Sequence, residues 1–131
     1  MIDVDRFFFE SLVEDAWNEL PDEWRIKLED ANISYQVVDF PSREILIKLK
    51  LTSVWSLLGL YTGVPKISRR GFVPLEMPDI IMLFQQPITQ RAKDLNNLKE
   101  IIRHVLYHEI GHYFGLNEDE LRQAQMNSNP F

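Results

Sequence analysis

Apolar residues recur at four-residue intervals near the start of the chain, at Val4, Phe8, Leu12, Ala16 and Leu20, while Glu10, Glu14, Asp15 and Glu19 fall on other faces. That spacing predicts an amphipathic helix, which Pro21 ends because proline lacks the N–H and clashes with the preceding turn. Asp22 can cap a second short helix, on which Trp24 and Leu28 continue the stripe begun by Leu20. In "NISYQVVDFP" the period changes: Ile33, Tyr35 and Val37 alternate with Ser34, Gln36 and Val38, as in a half-buried strand closed by Pro41.

"SREILIKLKL" admits two periods. Ile45, Ile47, Leu49 and Leu51 alternate like a strand, but Ser42 can cap a helix on which Ile45, Leu46 and Leu49 share a face, and a short helix is the preferred reading. "SLLGLYTGVP" predicts a strand ending at Gly63 and Pro65, followed by a "KISRRG" loop. "DIIMLFQQ", bracketed by Pro78 and Pro87, is apolar on both faces and too short for a typical helix, so it reads as a strand. From about Gln90 a helical period runs through Leu95, Leu98, Ile102, Val105 and Ile110 to Gly115, the natural stop. With no repeat and no linker, 131 residues suit one domain spanning 1–131.

Composition narrows the chemistry. Fourteen Lys and Arg against 20 Asp and Glu give a net charge of -6, which repels a phosphate backbone, so nucleic acid is not an expected partner. There is no cysteine, which removes disulfides, thiolate catalysis and cysteine-based zinc motifs together. The N-terminus carries acids where a secretory signal carries Lys or Arg, and no apolar run approaches a membrane span. A cytoplasmic protein with no membrane partner is the expectation.

On the last helix, "YHEIGHYFGLNEDEL" puts His108 and His112 on one face, one turn apart, where both imidazoles can reach one tetrahedral zinc ion. Glu109 points to the neighbouring flank, beside the open coordination position, where it can take a proton from water as a general base. An HExxH pattern alone recurs by chance in many helices. The extension weighs against chance: Gly115 lets the backbone leave the helix through a left-handed residue and fold back, bringing an acid at Glu118 or Asp119 to the metal.

These residues resemble a family, the small bacterial zincin-like metallopeptidases, once catalogued as a domain of unknown function. Its pattern HExxHxxGxx followed by an acid reads here as His108, Glu109, His112, Gly115 and Glu118. "LPDEW", "SLLGLYTGVP", "SRRG" and the segment Ile80 to Phe84 look like the family's blocks in the family's order, so the likeness spans nearly the whole chain. The family usually has Asp where this chain has Glu118, with Asp119 directly after it; Glu118 is the expected third ligand and Asp119 the alternative. The resemblance implies a minimal zincin of α+β type, a small sheet packed on helices with the metal helix beneath its edge, and peptide hydrolysis.

His104 lies one turn before His108, but three consecutive turns of a straight helix cannot surround one tetrahedral ion, so it reads as a supporting or surface residue. Tyr113 and Phe114 read as core packing, Arg69 and Arg70 as solvated loop charges, and Met126 as tail or packing. The expected function is a zinc-dependent peptidase acting on a peptide or protein substrate, with zinc-activated water and Glu109 as base. A protease dedicated to one protein partner and a non-catalytic zinc-containing binding module are the alternatives. Ile80 to Phe84 is either the rim strand that holds a peptide by main-chain pairing or a central strand with both faces in the core.

Overall fold

The computed structural model describes residues 2–63, 79–116 and 119. Asp5 caps α1 (Arg6–Asn18), its side chain accepting the Phe8 N–H at 2.7 Å. The helix buries Phe9, Leu12, Val13, Ala16 and Trp17, whereas Phe8, placed on the stripe by its spacing, is 39% exposed. Each four-residue step overshoots a full turn by about 40°, so a strict four-residue repeat drifts off the core side and Phe9 and Val13 take its place. After Pro21 comes α2 (Asp22–Asp30). Pro21, not Asp22, occupies the cap position; Asp22 lies inside the first turn and pairs with Arg25 at 2.8 Å.

β1 (Ser34–Val38) buries Val37 and lays the Tyr35 ring on Trp17, with centroids 5.3 Å apart. α3 (Arg43–Lys48) confirms the helical reading of "SREILIKLKL": the Ser42 side chain accepts the Ile45 N–H at 3.2 Å. None of its residues is buried, so no core contact selects between the two periods and the cap decides. β2 (Gly59–Thr62) follows, and the "KISRRG" loop lies outside the described residues.

β3 (Ile80–Phe84) pairs in parallel with β1, Tyr35 opposite Ile81, and antiparallel with β2, Tyr61 opposite Ile81. The described sheet therefore runs β1-β3-β2, and Ile80–Phe84 is its central strand, not a rim available to a peptide. Its composition agrees with that position: Ile81, Leu83 and Phe84 are fully buried.

Helix formation resumes immediately in α4 (Gln85–Arg91), with Pro87 in the first turn, where its missing N–H costs no intrahelical bond. The long helix expected from Gln90 is thus two helices. Ala92 leaves the helix with extended backbone, and Asp94 opens α5 (Leu95–Tyr113) by accepting the Asn97 N–H at 2.8 Å. α5 packs against α1, α4, β2 and β3, so a helical layer and a small sheet share one core, an α+β architecture.

Arg6 ties the start of the chain to this frame. It donates to Gln85 Oε1 at 2.7 Å, to the Val37 carbonyl at 3.3 Å and to Asp39 Oδ1 at 2.6 Å, while the buried Gln85 donates to the Val4 carbonyl at 3.1 Å. The Arg6 guanidinium, with help from Gln86, holds the Asp39 carboxyl below its usual range. A lowered carboxylate pKa contributes stability that is present above the unfolded value near ~3.9 and is lost as pH falls through the folded one. Arg6→Ala is expected to cost ~1–3 kcal/mol at neutral pH, because the Gln85 amide oxygen loses its donor in a buried site. The variant should also show a shallower loss of stability below about pH 4. Urea unfolding of both proteins across that range checks both effects, and equal midpoints at neutral pH would count against the clamp.

Candidate metal centre

The last two turns of α5 carry the candidate ligands. Its core face, through Leu98, Ile102, Val105, Leu106 and Ile110, fixes the helix rotation and leaves His108 half-buried and His112 exposed. One turn apart, their rings meet edge to face with centroids 4.5 Å apart. Glu109 is buried, at 7% exposure, and its Oε1 accepts the Tyr61 backbone N–H at 2.9 Å and stands 3.4 Å from His112 Nδ1. One ligand atom from each of His108, Glu109 and His112 falls within 4.8 Å of the others. The carboxylate expected on the flank is therefore turned back into the same space as the imidazoles by a contact with β2.

The donor chemistry suits zinc. Two imidazoles supply nitrogen ligands, and a buried carboxylate beside them leaves negative charge that a cation offsets. No thiolate is available to draw a softer metal.

α5 ends as its glycine requires. Gly115 adopts φ 75, the Leu116 N–H bonds the Gly111 carbonyl at 2.9 Å, and the Gly115 N–H bonds the His112 carbonyl at 3.0 Å. This pair of bonds closes the helix through a left-handed residue and turns the chain back just after His112. Asp119 lies beyond that turn and is exposed; Glu118 falls outside the described residues, as do Arg69, Arg70 and Met126. His104 is exposed, its ring 6.4 Å from that of His108, and does not join the cluster of three. Tyr113 is buried against Tyr61, 5.6 Å between centroids, and Phe114 rests on Trp24 at 5.5 Å, so both pack as expected.

Two contributors escaped the sequence reading, Gly59 and Tyr61. A Cβ on Gly59 would lie 2.5 Å from Val105 Cγ1, 3.1 Å from the Met82 carbonyl oxygen and 3.5 Å from Glu109 Cγ. Only a bare backbone lets β2 come close enough to α5 for the Tyr61 N–H to reach Glu109. A glycine inside a strand is the general signal for such close approach, and it is present in "LLGLYTG".

No helix among the described residues is long and apolar enough to cross a membrane. A comparison with the curated proteins finds no match. The family described as zincin-like metallopeptidase matches residues 30–127, a span that holds the three described strands, α5 and the acids after it. With well over half of its length matched and the histidine pair and glutamate of that class gathered at one point, the chain belongs to the zincin-like metallopeptidase family.

Proposed function

We propose that the protein is a zinc-dependent peptidase in which His108 and His112 hold the metal, Glu118 completes the set with Asp119 as the alternative, and Glu109 is the general base. The observation that supports this reading best is the burial of the Glu109 carboxylate beside two imidazoles, of which one is exposed and one half-buried. A buried carboxylate is costly to keep without a purpose-built surrounding, and such groups concentrate at functional sites.

Zinc, when bound, supplies Lewis acidity that polarises a peptide carbonyl and makes water nucleophilic near neutral pH. Glu109 takes a proton from the attacking water as the new carbon–oxygen bond forms, then delivers it to the amide nitrogen as the carbon–nitrogen bond breaks. His108 and His112 orient the metal from a rigid helix, and Gly115 returns the chain so that an acid can approach.

A digest of a broad library of unstructured peptides by the zinc-loaded protein, read by mass spectrometry, tests the reading. Cleavage is expected, slowed by about 10²–10⁴-fold in Glu109→Gln. A library left intact, or one cut equally fast by Glu109→Gln, would overturn it.

A further inference from the structure

Several contacts converge on Tyr61 that metal ligation does not itself require. Its backbone N–H donates to Glu109 Oε1 at 2.9 Å, and its phenol donates to Asp79 Oδ1 at 3.0 Å, just before β3. Its ring stands edge-on to Tyr113 at the end of α5, and Tyr113 is itself buried. The strand is also glycine-limited at both ends. Gly59 has no room for a side chain against Val105, and Gly63, at φ 128, faces the Asp79 carboxylate so closely that a Cβ would collide with it. β2 is thus pressed onto α5 at one end and onto Asp79 at the other, with the Tyr61 amide between.

A glutamate side chain has several rotatable bonds, and a base that must receive a proton along a fixed direction works better when those rotations are removed in advance. We propose that Tyr61 is the positioning residue for Glu109. Its amide engages one carboxylate oxygen and leaves the other to exchange protons, while the phenol–Asp79 bond and the Tyr113 contact hold that amide in place. The inference rests on the reading of Glu109 as the base. It assigns to Asp79, 30 positions before Glu109 in sequence, a share in orienting that carboxylate.

The alternative is that Tyr61 only packs against Tyr113. Packing alone predicts no electrostatic link between Glu109 and the Tyr61 amide, which ¹H–¹⁵N spectra of the whole protein can measure with and without zinc. Glu109→Gln should shift the Tyr61 amide proton upfield by more than it moves those of Leu60 and Thr62, because a charged acceptor is replaced by a neutral one. Asp79→Ala and Tyr61→Phe should each speed hydrogen exchange of that amide by about tenfold, the scale of one hydrogen bond to a charged group. The double variant should go no further, since both changes remove the same bond, and Asp79→Asn, which keeps an acceptor, should restore most of the protection.

Zinc affinity should stay within about threefold in all of these, Glu109→Gln included, since the histidines are untouched. On any peptide the parent cleaves, Asp79→Ala should lower kcat by about tenfold and leave KM in place, the pattern of a lost transition-state interaction. A Tyr61 amide that ignores Glu109→Gln, or an Asp79→Ala variant with parental amide exchange, overturns the assignment. The spectroscopic arm needs no substrate, so it decides the positioning role even where the peptide digest is negative.

Discussion

Replacing His112 with alanine is expected to strip the protein of most of its zinc, with a loss in affinity on the order of 100-fold or more. Even residues that only orient a ligand typically cost ~10–100-fold, and a direct ligand should exceed that. His108→Ala should behave alike, because the two rings meet at one point, with centroids 4.5 Å apart. Glu109→Gln separates the roles: the metal should remain while hydrolysis is lost, since an amide can neither take nor return the proton. The same titration series extends to the acid beyond Gly115. Glu118→Ala should weaken zinc binding strongly and Asp119→Ala only slightly; the reverse pattern would move the third ligand by one residue. Elemental analysis after exhaustive dialysis reads all five variants, and a full zinc complement in His112→Ala would sink the site.

Gly59→Ala is expected to destabilise the protein by ~1–3 kcal/mol, the usual cost of an overpacked methyl group. The sign is the informative part. A glycine inside a strand is ordinarily a weak point, and alanine there would be expected to add ~0.5–1 kcal/mol of stability. Here the new Cβ meets Val105 Cγ1 at 2.5 Å and the Met82 carbonyl oxygen at 3.1 Å. A side-chain methyl can move a few tenths of an ångström, but a carbonyl paired into the sheet has little freedom, so β2 must lift from α5. The Tyr61 N–H then withdraws from Glu109, and peptide cleavage should fall together with stability. Pairing the change with Val105→Ala removes the nearest atom, so the double variant should lose less than the two single losses combined. Urea unfolding of the four proteins checks this, and a Gly59→Ala protein as stable as the parent would mean that β2 has slack the structure does not show.

Much of the candidate site was legible because it is local. The helical period alone places His108 and His112 on one face, and a single glycine at Gly115 dictates how the chain leaves the helix; neither depends on distant contacts. Ser42 resolved the ambiguous "SREILIKLKL" for the same reason, since a cap bond spans only three residues. The histidine, glutamate and glycine pattern lies within this short stretch and the family's other blocks are short runs along the chain, so kinship could be read before any fold was known.

Tertiary structure decided what no local pattern carries. Ile80–Phe84 reads equally well as rim or centre, because apolar residues on both faces say how deeply a strand is buried and not which strands flank it; only pairing with β1 and β2 made it central. The break at Ala92 was hidden because apolar residues continue at helical spacing across it, while the Asp94 cap takes over. Sequence by itself determined the two histidines, the glutamate and the glycine exit, through periods and caps that span a few residues. The tertiary structure alone decided where the Glu109 carboxylate points, since its partner, the Tyr61 N–H, is 48 residues away and every residue but proline carries the same amide.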